Sequence, residues 1–242
     1  MITKRKTALI TGASSGIGKE LAANFARDGH DVILVARSEE KLRLLADELQ
    51  AQYGVMATPI VADLESDDGA AELFKEVKTR GLSINTLANN AGYGSFGEFR
   101  ESDLQRELAM MRLNMNTVVI LTKLFLPEII AARGKIMKKA FVLSFSEALA
   151  SELEGAGVTV TAFCPGPTAS GFQDKASMHD SALVKNKKLP TAEDVAAGGY
   201  RAMQRGQRVY IPGIINWLMA QSVRFTPRNL VTRISKSFSK PV

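Results

Sequence analysis

The sequence predicts an α/β protein built on a doubly wound parallel sheet of about seven strands, helices on both faces, in one domain. Three observations carry this. Short apolar runs alternate with segments of helical periodicity along the whole chain. Several of those runs, such as Asp31–Ala36, are apolar without alternation, as strands covered on both faces are. A glycine-rich turn, Thr11-Gly12-Ala13-Ser14-Ser15-Gly16-Ile17-Gly18, links the first strand to the first helix.

The elements follow in order. Thr7–Thr11 reads as a strand, and Ile17–Arg27 as a helix with Leu21, Ala22, Phe25 and Ala26 on one face, stopped by Gly29. Asp31–Ala36 is the second strand. Ser38 is placed to cap a helix carrying Leu42, Leu45 and Leu49. Val55–Ala62 is a strand closed by Asp63; a helix over Asp67–Thr79 and a strand over Ile84–Ala88 follow. A long helix is expected from Glu101 to about Ala131, broken late by Pro127. Gly134–Met137 begins a fifth strand, and Lys139–Glu154 is read as an amphipathic helix ended by Gly155 and Gly157. Val158–Phe163 is the sixth strand, Thr191 with Asp194 resembles a capping box, and Arg208–Ile211 is the last strand. The irregular stretch at about 169–190 is expected to be a mobile substrate loop, and about 209–242 a basic C-terminal segment.

Composition narrows the function. The chain has 242 residues and a net charge of +6, enough length for a large core without disulfides or metal. One cysteine, Cys164, excludes an internal disulfide and suits a reducing compartment, so a cytoplasmic location is expected. Cys164 closes an apolar strand and reads as structural rather than reactive. His30 and His179 stand in no ligand spacing, and no metal is expected. No run approaches the ~18 apolar residues of a membrane span. From Lys175 onward there are twelve Lys/Arg against three Asp/Glu. Zinc-finger spacing and aromatic–basic interleaving are absent, and no nucleic-acid partner is expected.

The glycine turn carries the first functional reading. Gly12, Gly16 and Gly18 let backbone approach a pyrophosphate, and the helix N-terminus adds partial positive charge, the arrangement of a Rossmann-like dinucleotide site. The spacing is G-x-x-x-G-x-G rather than G-x-G-x-x-G. Arg37 directly follows the second strand, where an acid binds a free ribose 2′-hydroxyl and an arginine accommodates a 2′-phosphate; NADP(H) is therefore expected over NAD(H). Ser14 and Ser38 add phosphate hydrogen bonds. Asp63 either accepts from the adenine amino group or caps the following turn.

Thr11–Gly18, Asp63-Leu64, Asn89-Asn90-Ala91-Gly92 and Pro165-Gly166-Pro167-Thr168 together resemble the classical short-chain dehydrogenase/reductases, from about Thr7 to Thr168. The resemblance implies a nicotinamide cofactor and catalysis by an Asn-Ser-Tyr-Lys set. It implies that Ser15, Ile17, Leu64, Asn90, Ala91 and Gly92 border the cofactor, and that Pro165, Gly166 and Thr168 meet the nicotinamide. Asn114 is similar to the helix asparagine of the proton relay, and Lys139 to the lysine of Tyr-x-x-x-Lys. It also implies a homodimer or homotetramer pairing through the long helix and the helix from Lys139. The substrate is then a ketone or oxoacyl group, or the corresponding secondary alcohol; an apolar or acyl one fits the C-terminal apolar residues.

The catalytic segment departs from that pattern. Four residues before Lys139 stands Lys135 instead of tyrosine, and the fifth strand has no serine. If Met137 lies short of the strand's end and Lys139 beyond it, the gap of several residues at ~3.3 Å each exceeds the ~7.6 Å reach of two peptide units. This geometry predicts a segment after Met137 that the sequence lacks; without one, the chain reads as a non-catalytic NADP-binding protein. The apolar residues Ile211, Ile214, Ile215, Trp217, Leu218 and Met219 are expected to pack, line a pocket or form an interface, with membrane-surface contact ranked second.

Overall fold

The computed structural model describes residues 5–95, 99–139, 143–169 and 189–222. The core is a seven-stranded, all-parallel sheet in the order β3-β2-β1-β4-β5-β6-β7. The strands are β1 (Thr7–Thr11), β2 (Asp31–Ala36), β3 (Ala57–Val61), β4 (Thr86–Asn89), β5 (Lys135–Lys139), β6 (Thr159–Phe163) and β7 (Val209–Tyr210). The helices are α1 (Gly16–Arg27), α2 (Glu39–Tyr53), α3 (Gly69–Thr79), α4 (Leu104–Met111), α5 (Thr117–Ala131), α6 (Leu143–Glu152), α7 (Ala192–Gln204) and α8 (Ile214–Ser222).

The unalternating strand sequences are explained by two cores. Ala8, Ile10, Val32 and Leu34 face α1, α2 and α7, while Leu9, Ile33 and Val35 face the opposite layer with Leu73, Leu121 and Phe125. On the first face Phe25 and Tyr200 meet edge to face at 4.9 Å. Gly198 and Gly199 let α7 close on the sheet, because a Cβ there would strike Tyr210 and Phe163. Thr191 caps α7 as its sequence predicts, its hydroxyl accepting from Asp194 N at 3.1 Å.

Four expectations are corrected. Ser38 occupies the N-cap position of α2, but its side chain makes no capping bond. Pro127 does not break α5, which continues to Ala131; Pro127 lies on the exposed face, where water can satisfy the carbonyl it leaves unbonded. Leu104–Ala131 is long and apolar enough to cross a membrane by composition, but Leu121, Phe125 and Ile129 are fully buried against the core.

The fourth correction concerns β5. Lys139 does not open a helix. Lys138 and Lys139 are the last two residues of the strand, in register with Ala162 and Phe163 of β6, and Lys138 also with Asn89 of β4. Ladder partners on both sides of Lys138 and on the β6 side of Lys139 draw these residues into the sheet, and α6 starts only at Leu143. The reach argument placed Lys139 beyond the strand, and that premise fails. The mobile loop expected at about 169–190 lies mostly outside the described residues; its base is pinned by a bridge between Ala169 and Thr191.

Extending the strand buries Lys138 completely, on the face covered by α6. Its Nζ has no hydrogen-bond partner among the described residues and sits 3.8 Å from the centre of the Phe145 ring. Burial pushes its pKa down to about 7. The unfolded chain therefore binds the Lys138 proton more tightly, and this residue's penalty fades as pH rises from about 7 towards the usual lysine value. Lys138→Met is expected to raise unfolding free energy by about 1–4 kcal/mol at neutral pH. Urea melts of both proteins at several pH values check this, and the advantage of the variant should shrink towards pH 10.

Candidate functional site

The site forms where β1 and β4 part, because β2 leads away from β1 on one side and β5 from β4 on the other. The Thr11 hydroxyl accepts from the backbone N–H of Asn90 at 3.0 Å and of Ala91 at 2.9 Å. The Asn90 side-chain amide donates back to Thr11 O at 3.0 Å. These bonds tie the end of β4 to the start of the glycine turn.

The turn itself is set by two glycines with positive φ, Gly12 at 69° and Gly16 at 54°. Gly18 has a different reason to be glycine. A Cβ there would lie 2.1 Å from Gly12 O and 2.5 Å from the Asn90 side-chain nitrogen. Helix α1 thus starts directly against the turn, its first N–H groups facing the opening. Ser15 holds the N-cap position with no side-chain capping bond.

A cavity of about 790 Å³ lies over this turn. Every candidate cofactor-binding and catalytic residue borders it: Gly12, Ser14, Ser15, Gly16, Ile17 and Gly18; Arg37 and Ser38; Asp63 and Leu64; Asn90, Ala91 and Gly92; Asn114; Lys139; and Pro165, Gly166 and Thr168. The position of Lys139 differs from expectation, since it reaches the cavity from the end of β5. Asp63 does cap its turn, accepting from Glu65 N at 3.0 Å, while also lining the cavity.

Asn114 stands in a π turn, Arg112–Asn116, between α4 and α5. Such bulges shift side chains off the regular helical track. The Asn114 amide donates to Tyr93 O at 2.8 Å. Its Oδ1 occupies the space a Cβ on Gly92 would need.

Several cavity residues escaped the sequence reading, three of them ionisable. Lys41, in the first turn of α2, is a second cation lining the cavity with Arg37. Glu65 pairs with Arg37 at 2.9 Å. Tyr93 follows Gly92; burial, with Glu65 adding to it, raises its phenol pKa, so it stays a neutral hydroxyl. Lys41 had a signal in its spacing from Arg37; Glu65 and Tyr93 had none. Cys164 is half-buried and its thiol pKa is raised chiefly by burial, the state of an unreactive cysteine.

A family model described as short chain dehydrogenase matches residues 6–138, more than half of the chain. The chain belongs to the short-chain dehydrogenase/reductase family. The match ends within β5, at the buried Lys138. Oxidoreductase UcpA of Escherichia coli is 36% identical over 66% of this chain and 68% of its own length. A short chain dehydrogenase of Pseudocercospora fijiensis is 32% identical over 68% of this chain; the match spans only 60% of that protein. Among solved structures, a short-chain dehydrogenase from Sphingobium yanoikuyae in complex with NADPH superposes with a TM-score of 0.79 at 26% identity. It covers 94% of this chain and 95% of that one. The family's oxidoreductases act on alcohols and ketones.

The Thr11 hydroxyl is the joint most open to test. Thr11→Val keeps the shape but leaves the N–H groups of Asn90 and Ala91 without their acceptor. Unfolding free energy is expected to fall by about 1–3 kcal/mol, measured by urea denaturation.

Proposed function

We propose that the cavity binds NADP(H) and that the protein transfers hydride between this cofactor and a ketone or oxoacyl group and its secondary alcohol. The observation that carries the reading is the glycine turn, with α1 pressed against it and Arg37 and Lys41 beside it. The residues fit the group. The turn and the first N–H groups of α1 would hold the pyrophosphate. Arg37 and Lys41 would hold the 2′-phosphate, which must displace Glu65 from Arg37. Pro165, Gly166 and Thr168 would border the nicotinamide, with the Thr168 hydroxyl, which donates to Gly166 O at 2.9 Å, oriented at that end. The cofactor supplies the hydride. Asn114, fixed by Tyr93 O, would position a water or substrate oxygen, and Lys139 would place an ammonium near it. A homodimer or homotetramer in the cytoplasm is part of the proposal, supported by the family relationship and the single cysteine.

One observation favours a second reading, a non-catalytic NADP-binding protein. Between β5 and α6 lie only Ala140, Phe141 and Val142, with neither serine nor tyrosine among them. The family's proton donor then has no counterpart beside Lys139.

Two measurements separate the readings. NADPH binding by the wild type, with Arg37→Gln weakening it roughly 10- to 100-fold and leaving NADH unchanged, supports the cofactor assignment. Turnover of a ketone panel is then scored on protein whose intact mass is known. Turnover by a 26.2 kDa chain supports catalysis with the residues present. NADPH binding without turnover at that mass establishes the second reading. A heavier chain restores the segment expected after Met137.

A further inference from the structure

Helix α8 has an inverted distribution of side chains. Its sequence, Ile-Ile-Asn-Trp-Leu-Met-Ala-Gln-Ser, contains no charge, and none of its residues is buried. Ile214 and Ile215 are each 69% exposed, Leu218 54% and Trp217 45%. Asn216 is partly buried; its amide donates to Pro212 O at 2.9 Å and lies where a Cβ on Gly166 would be. The helix is thus seated against Gly166, a residue of the cavity lining, by an asparagine, while its large apolar residues are exposed. The expectation that they pack into the molecule is not met. At ~1.5 Å per residue the helix is about 14 Å long, far too short to cross a bilayer.

The chain that continues from α8 has a matching composition. Residues 223–242 carry Arg224, Arg228, Arg233, Lys236 and Lys240 and no acidic residue, with Phe225, Leu230, Ile234 and Phe238 between them. An apolar, uncharged surface followed directly by cations is what an anionic lipid surface attracts: acyl chains accept Ile, Leu and Trp, and headgroups accept Arg and Lys. A second copy of the chain suits it less. A second copy meeting α8 through the same face offers no acidic group to these cations, since α8 carries no charge and residues 223–242 carry no Asp or Glu.

We propose that α8 docks the protein on an anionic membrane surface by lying in the headgroup plane, the cations that follow it in the sequence selecting anionic lipid. This rests on the exposed helix and the charge that follows it, and it is independent of whether the enzyme turns over.

The test uses the whole protein and vesicles of phosphatidylcholine alone or mixed equally with phosphatidylglycerol. Trp217 is the chain's single tryptophan, so its emission reports α8 directly. The proposal predicts at least tenfold stronger binding to the anionic vesicles, with a blue shift of Trp217 emission. Salt should weaken binding as the Debye length falls from about 10 Å at 0.1 M to about 3 Å at 1 M. The double variant Ile215→Ser, Leu218→Ser should bind at least tenfold more weakly at an unchanged thermal midpoint, since neither side chain is buried. Arg224→Gln with Arg228→Gln and Arg233→Gln should remove the preference for anionic vesicles. Equal binding to both vesicle types, an unshifted Trp217, or wild-type binding by the serine variant overturns the proposal. A dimer that sedimentation shows to be lost in the serine variant, without vesicle binding, overturns it in favour of a second copy.

Discussion

The site depends on the contact between the end of β1 and the end of β4. Thr11 has one hydroxyl, and two backbone N–H groups of the following strand's exit share it. Asn90 returns the bond and places its amide where it also limits what Gly18 can be. Three consequences follow from one small polar cluster. The glycine turn is held at fixed height above the sheet, α1 must begin against it, and the Asn90–Gly92 backbone forms the adjacent wall of the cavity. Because these groups are buried, losing one partner exposes no water to replace it, so the cluster behaves as one unit.

The opposite wall is fixed by a different device. A regular helix through residues 104–131 would present Asn114 by the 3.6-residue repeat alone. The π turn shifts that register over five residues and lets Asn114 reach Tyr93 O and fill the space over Gly92. Gly92 and Asn114 are therefore coupled across 22 positions of sequence, although no local pattern joins them. The fold uses regular elements to set the sheet and spends its irregularity where the cavity needs a side chain off the regular track.

What could be read from the sequence follows from how local the cause is. The glycine turn, the strand runs and the Thr191 cap are determined by residues within a few positions, and all stand where the pattern puts them. Arg37 and Asp63 were legible because strand ends have fixed places in a doubly wound sheet. Ser38 and Pro127 looked decisive by propensity, yet an uncapped helix start and an exposed proline cost too little to override packing. Glu65 and Tyr93 enter the cavity through loop paths that no periodicity describes. Lys139 was assigned to a helix from the residues after it; the ladder partners that place it in β5, Phe163 above all, lie elsewhere in the chain.

The end of β5 shows which force prevailed. Parallel neighbours on both sides present backbone groups at the level of Lys138, and β6 alone does so at Lys139; leaving such groups buried and unbonded costs about 1–3 kcal/mol each. Filling the ladder with Lys138 instead buries an amine, and its shift from the usual 10.5 down to about 7 corresponds to about 5 kcal/mol. The Phe145 ring, 3.8 Å from that amine, offsets part of this. The sheet is thus completed at the expense of a side chain foreign to its position, at the same residue where the family match ends. An apolar residue would satisfy the same ladder with no such penalty.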